Sequence, residues 1–267
     1  MSQHPMLNTA IRAARNAGDI IARSVDRIDQ LKIKSKAEND FVSEVDLAAE
    51  QEIINTIKKA YPDHSFLAEE SGKQVGSDYE WIIDPLDGTT NFLYGIPHFA
   101  VSIALRVKGR LEVGVVYDPL SQELYSAARG NGAQLNGKRI RVTDRRNLEG
   151  ALLGTGIPYT KDQYDHLDSY FNMMKDLIPG TAGIRRAGSA ALDLAYVAAG
   201  RLDGFWEFNL NIWDIAAGVI LIEEAGGMVG GLRGEPDYLD RGSIVTGNAR
   251  IFKEMLQKIK KHVPQSL

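Results

Sequence analysis

The stretch Trp81-Ile82-Ile83-Asp84-Pro85-Leu86-Asp87-Gly88-Thr89-Thr90-Asn91-Phe92 constrains this chain more than any other. Its opening, Trp81 to Ile83, reads as a short buried strand. Pro85 pushes the residue before it towards an extended backbone, which predicts Asp84 at the end of that strand. Gly88 permits a tight turn, and Asp87 with Thr89 and Thr90 opens a helical turn beyond it. Two carboxylates are thereby held beside free backbone N–H groups. Carboxylate oxygens are hard ligands suited to Mg2+, and amide donors at a helix start can hold a phosphate. Asp-Pro and Asp-Gly are also ordinary turn formers, so on this stretch alone punctuation and chemistry stand level.

Composition narrows the classes. Of 267 residues, 44% are hydrophobic and 25% charged, which supplies a real core and excludes a mainly disordered chain. With 31 Lys+Arg against 35 Asp+Glu, the formal net charge of -4 gives no reason to expect a general nucleic-acid binder. There is no cysteine, so disulfides, thiolate metal sites and cysteine nucleophiles are excluded. The longest apolar stretch, Ile215 to Ile222, is broken by Gly218 and too short to span a bilayer. The first residues lack the apolar core of a signal peptide, and a soluble, cytoplasmic protein is expected.

Periodicity predicts an opening helix through Met6, Leu7, Ala10, Ile11, Ala14, Ala17, Gly18 and Ile21. A second helix is capped by Ser43 with Asp46 three residues on, and carries a buried stripe of Leu47, Ile53, Ile54 and Ile57. Phe66 to about Arg141 is strand-rich, with a tight hairpin at Asn136-Gly137. The charged stretch Lys138 to Arg146 is the expected boundary between two intimately joined halves, 1–145 and 146–267. In the second half, Ala151–Thr155 and Gly204–Phe208 read as strands. Ser189 caps a helix ending at Gly200, Asp214 caps one ending near Gly226, and Asn248 starts the last. The class is mixed α/β, with layered helices and sheets.

Further acidic residues recur at Asp46, at Glu69-Glu70-Ser71 and at Asp214 after Trp213. Taken singly, capping explains Asp46 and Asp214, and a solvated surface explains the glutamate pair. Together, Asp40-Phe-Val-Ser-Glu-Val-Asp46, Glu69-Glu-Ser71, Asp84-Pro-Leu-Asp-Gly-Thr-Thr90 and Trp213-Asp214 resemble the inositol monophosphatase family, particularly its bacterial SuhB-type members. The resemblance extends to Gly183-Ile-Arg-Arg-Ala-Gly-Ser-Ala190 and Glu223-Glu-Ala-Gly-Gly227. Ala68 departs from it where many relatives carry glycine.

The resemblance implies alternating α-β-α-β-α layers with two sheets, and Mg2+-dependent hydrolysis of inositol monophosphate without a phospho-enzyme. It implies that Glu69, Asp84 and the Leu86 carbonyl hold one Mg2+, that Asp84, Asp87 and Asp214 hold a second, and that Glu69 reaches a weaker third through water. Glu69 and Thr89 would position the attacking water, with Asp46 orienting Thr89. Backbone N–H groups of Gly88 and Thr89 would cradle the phosphate. Gly188, Ser189, Ala190, Glu207 and Asp214 would receive the polyol, with Arg185 shaping the region. Without the resemblance, Ser189 reads as a cap and Glu207 as an exposed strand residue. Converging acids also call for cations: two carboxylates about 4 Å apart repel by roughly 4 kcal/mol at an effective dielectric near 20.

No Gly-x-Ser-x-Gly elbow, P-loop or HExxH motif is present, and the five histidines are scattered. Within the superfamily, a nucleotide 3′-phosphate, NADP, a sugar bisphosphate or histidinol phosphate remains open as substrate. The resemblance further implies lithium inhibition and a homodimer. It also implies a possible second role, contacting RNA polymerase or a transcription elongation factor. The basic residues Lys138, Arg139, Arg141, Arg145 and Arg146 read either as part of such a contact or as a solvated stretch. Arg185 and Arg186 read alternatively as interface residues.

Overall fold

In the computed structural model, which describes residues 4–30, 33–37, 40–158, 160–265 and 267, the first half wraps two helices over a large sheet. Helix α1 (Pro5–Ser24) starts at a proline, whose missing N–H is not needed there. A two-stranded ribbon, β1 (Ile33–Ala37) and β2 (Asp40–Ser43), leads into α2 (Glu44–Ala60). Ser43 caps α2 as predicted, and the Asp46 carboxylate answers its backbone N–H. The buried face of α2 is Val45, Ala49, Ile53, Ile54 and Ile57. Leu47 does not belong to it and is 49% exposed, because it falls two positions from both Val45 and Ala49 and so points away.

The large sheet is built from β3 (Ser65–Ala68), β4 (Gly72–Gln74), β5 (Tyr79–Asp87), β6 (Ala100–Val107), β7 (Arg110–Asp118), β8 (Glu123–Ala128), β9 (Gly132–Leu135) and β10 (Lys138–Arg139). A short helix, α3 (Thr89–Leu93), follows β5. The strand order is β10-β9-β8-β7-β6-β5-β3-β4. Only β3 and β5 run parallel among these neighbours. Asn136 and Gly137, both at positive φ, join β9 to β10 as the expected two-residue turn.

The second sheet comprises β11 (Leu152–Thr155), β12 (Gly183–Arg185), β13 (Gly204–Glu207), β14 (Met228–Gly230) and β15 (Ile244–Gly247), in the order β12-β11-β13-β15-β14. Between and after these strands come α4 (Leu167–Leu177), α5 (Ala190–Ala198), α6 (Ile212–Glu224), α7 (Tyr238–Arg241) and α8 (Ala249–Ile259).

Strand alternation distributes side chains between layers. Trp81 and Ile83 pack with α1 and α2, whereas Ile82 between them packs with α5 and α6. Phe205 faces α5 and α6, and Trp206 faces α4 and α8 on the far side. The result is α1/α2, large sheet, α5/α6, small sheet, α4/α8: the expected five-layer α-β-α-β-α arrangement. The approach of α6 to the large sheet is close. A Cβ on Gly114 of β7 would collide with Ile220 and lie 2.7 Å from the Ala217 carbonyl oxygen.

Candidate metal and phosphoester site

Parallel pairing of β3 with β5 brings two strand ends together. Ala68 pairs with Ile83, and the Glu69 N–H donates to the Ile83 carbonyl at 3.1 Å, so Glu69 leaves the sheet beside Asp84. Open sites commonly form where parallel strands present their carboxyl ends.

The strand does not end at Asp84 as the sequence predicts. Asp84 pairs with Ser102 and Asp87 with Ala100, so three steps on β5 oppose two on β6. Pro85 has no N–H for the ladder, and the mismatch is absorbed as a bulge. Within it the Leu86 N–H donates to Asp84 Oδ1 at 2.9 Å, and the Leu86 carbonyl turns to the Thr89 hydroxyl at 3.0 Å. Gly88 follows at φ 92°; a Cβ there would lie 3.0 Å from the His98 carbonyl oxygen and 3.2 Å from that of Gly188. Only glycine suits that position.

The other elements converge on this turn. Asp46, fully buried in α2, accepts from the Ser43 N–H at 2.8 Å and lies 3.1 Å from the Thr89 hydroxyl. That hydroxyl has one proton for two acceptors, Asp46 and the Leu86 carbonyl. Asp214 reaches the site from the first turn of α6. It is not the cap: Asn211 holds that position, and its N–H donates to Asp214 Oδ2 at 2.6 Å. The Ser102 hydroxyl donates to the Trp213 carbonyl at 3.0 Å, fastening the start of α6 to β6. Carboxylate oxygens of Asp84, Asp87 and Asp214 thus come within 4.8 Å of one another.

Burial, then the charges of Glu69, Asp87 and Asp214, hold the Asp84 carboxyl well above the usual range, and a hydrogen bond with Glu69 adds to it. Asp214 is raised well by burial and by Asp87. Asp87 is pushed up to about 6 by burial, against hydrogen bonds from the Ser189 hydroxyl at 2.5 Å and the Ala191 N–H at 2.7 Å. Three close oxygens whose anions are disfavoured form a hard, cation-seeking donor set, and they fit Mg2+.

Of the residues expected to receive the polyol, Ser189 caps α5 while touching Asp87, and Ala190 is the first residue of that helix. Glu207 closes β13 with its carboxyl pushed up to about 8, chiefly by burial and then by Asp193. Arg185 turns back onto its neighbour, donating to the Ile184 carbonyl at 3.3 Å. Arg186 is the arginine whose charge acts on Glu207.

Three supporting residues escape a reading by motif. Glu50 is 3% exposed and accepts from the N–H groups of Glu70 at 2.8 Å and Ser71 at 2.9 Å, fixing the turn that presents Glu69. Its signal was available: an acid four residues after Asp46, inside an apolar stripe. Asn91 donates to the carbonyls of His98 at 2.7 Å and Ala187 at 2.9 Å, tying α3 to the loop before α5. Asp193 is a lone charge within the apolar α5.

The sequence pattern of the inositol monophosphatase family matches residues 2–265. The Nus factor SuhB of Pseudomonas aeruginosa is 56% identical over 267 residues, 98% of each chain. The crystal structure of extragenic suppressor protein suhB from Bartonella henselae superposes with a TM-score of 0.94 at 44% identity, covering 97% of this chain and all of that one. Inositol monophosphatase from Anabaena superposes at 0.86 with 38% identity over 98% of each chain.

Proposed function

This chain belongs to the inositol monophosphatase family, and on that premise we propose that it hydrolyses inositol monophosphate to inositol and phosphate with bound Mg2+. The observation that carries the reading is the approach of Asp84, Asp87 and Asp214 to within 4.8 Å, with Glu69 beside Asp84. Glu69, Asp84, the Leu86 carbonyl, Asp87 and Asp214 would hold the cations. When bound, Mg2+ supplies Lewis-acid polarisation of the phosphate oxygens and of the attacking water.

The protein's own groups do the rest. Thr89, fixed between Asp46 and the Leu86 carbonyl, orients water for in-line attack, with Glu69 as its partner. Backbone N–H groups of Gly88 and Thr89 receive phosphate oxygens. Ser189 locks Asp87, and Gly188, Ala190 and Glu207 with Asp214 would receive the alcohol, with Arg185 shaping that region. Phosphoryl transfer needs chiefly positioning and charge stabilisation, which suits this set.

The test is Mg2+-dependent phosphate release from inositol 1-phosphate against a nucleotide 3′-phosphate, NADP, a sugar bisphosphate and histidinol phosphate. The reading expects inositol 1-phosphate to have the highest kcat/KM and to lose at least about 100-fold in Thr89→Ala. No release from any of the panel, or an unimpaired Thr89→Ala, overturns it. Greater turnover of another phosphoester reassigns the substrate.

A second reading rests on the Nus factor name of the Pseudomonas aeruginosa relative and its near full-length identity. We propose that this chain also works as a homodimer in the cytoplasm and contacts RNA polymerase or an elongation factor through its basic Lys138–Arg146 stretch. No described helix is long and apolar enough to cross a membrane. Co-purification of RNA polymerase with the Asp87→Asn variant, lost when Arg145 and Arg146 become Ser, separates that role from catalysis.

A further inference from the structure

The fold sets the end of the basic Lys138–Arg146 stretch beside the last helix. The side-chain amide of Asn248, the cap of α8, donates to the carbonyls of Thr143 at 3.0 Å and Arg145 at 2.9 Å. Further along α8, Glu254 accepts the Leu148 N–H at 2.9 Å. Residues 145–148 are thereby laid along the first turns of α8, with exposed Arg146 among them. Arg145 itself is taken up by Asp203 at 3.0 Å and by the Glu149 carbonyl at 2.9 Å.

The same bonds leave the outer side of α8 basic. Glu254 is the sole acid between Ala249 and His262, and it is turned to Leu148. Towards α4, Lys258 donates to the Asp176 carbonyl at 3.0 Å, and Lys261 and His262 meet the Asp176 carboxylate at 2.8 and 2.7 Å. Arg250, Lys253 and Lys260 remain exposed, and among the described residues none of them, nor Arg146, enters an ion pair. At 3.6 residues per turn these three lie within about 80° of one another, in a row roughly 15 Å long. The net charge of -4 for the whole chain averages this patch away. The large exposed apolar side chains of the described residues lie elsewhere. Protein partners are held chiefly by buried aromatic and apolar anchors, whereas phosphates need only cations and donors.

We infer that the outer face of α8, with Arg146 beside it, is a contact surface for the sugar-phosphate backbone of a nucleic acid. The surface goes beyond both readings above, since it needs neither the phosphoester site nor RNA polymerase.

The experiment is fluorescence anisotropy of the full chain with a labelled 20-nucleotide RNA and with a 20-base-pair DNA duplex, from 50 to 200 mM KCl. EDTA is present, so that the acid cluster has no cation with which to attract phosphate. Four phosphate contacts predict a slope of log K against log salt of about -2.8 for the single strand and about -3.6 for the duplex. For the single strand that slope is a loss of about 50-fold across the range, and the tighter of the two ligands names the source. Arg250→Gln/Lys253→Gln/Lys260→Gln should bind at least about 10-fold more weakly at 50 mM and bring the slope to about -1 or shallower. Its melting temperature and phosphate release should match the parent, because the three side chains are exposed and glutamine suits a helix. A control, Arg12→Gln/Arg23→Gln/Lys59→Gln, removes the same charge from α1 and α2 on the opposite outer layer and should bind like the parent. Binding to neither nucleic acid, an unchanged slope in the α8 variant, or an equal loss in the control overturns the inference. Preference for polyglutamate over both nucleic acids also overturns it, in favour of an acidic protein surface.

Discussion

Replacing Asp87 by Asn should stabilise the metal-free protein, the reverse of what exchanging two charge-assisted hydrogen bonds for neutral ones would ordinarily do. The Asp87 carboxyl is pushed up to about 6 from an ordinary 3.8, a value that already includes its bonds from Ser189 and Ala191. A gap of about two units at 1.36 kcal/mol each means that ionised Asp87 costs the fold about 3 kcal/mol. The sign follows from the raised value. The folded state prefers the protonated form, so the penalty is absent below pH 3.8 and complete above pH 6. Both donors reach the same oxygen, Oδ2, so an Asn carbonyl in its place keeps both as neutral hydrogen bonds and carries no charge. In EDTA at pH 8 the variant should therefore melt roughly 6 °C or more above the parent. The gap should close as the pH falls towards 4. Saturating Mg2+ should invert the comparison, since a cation present at 1,000 times its Kd adds about 4.1 kcal/mol to a protein that binds it only when folded. Differential scanning calorimetry with and without Mg2+ across pH 4–8 measures all of this. A variant that melts below the parent in EDTA at every pH, with Mg2+ raising both equally, refutes the reasoning.

Glu50→Ala leaves the Glu70 and Ser71 N–H groups without their acceptor and should cost about 2–3 kcal/mol, while raising the Mg2+ concentration needed for half-maximal phosphate release. Glu207→Gln should change the pH dependence of metal-free stability. The parent holds that proton up to about pH 8 and loses stability from about pH 4.5 upward, so the variant's advantage should grow by on the order of 2–4 kcal/mol between pH 5 and pH 9 in thermal melts. Gly114→Ala should cost about 1–3 kcal/mol in urea unfolding, because α6 cannot back away from β7 without opening the central layer.

Much of this molecule is legible in local sequence because local rules fix it. Ser43 with Asp46 sets the start of α2, Asn136-Gly137 sets a hairpin, Ser189 and Asn248 cap their helices, and apolar runs mark strands buried on both faces. The family resemblance rested on motifs of the same short range, and the five layers follow from it. Local rules fail where two chemistries compete for one residue. Leu47 is apolar yet exposed, Asp214 caps no helix although its type suits one, and β5 runs on past Pro85 because β6 tolerates a bulge.

The identity of the acids and the turn at Gly88 were decided by the amino-acid sequence itself, since φ preference and capping depend on immediate neighbours. Which acids meet was decided by the tertiary structure alone: parallel pairing of β3 with β5 carries Glu69 to Asp84, and the seat of α6 on β6 carries Asp214 to Asp87. Their raised proton affinities arise there too, because desolvation and like-charge repulsion exist only once distant segments are packed into one place.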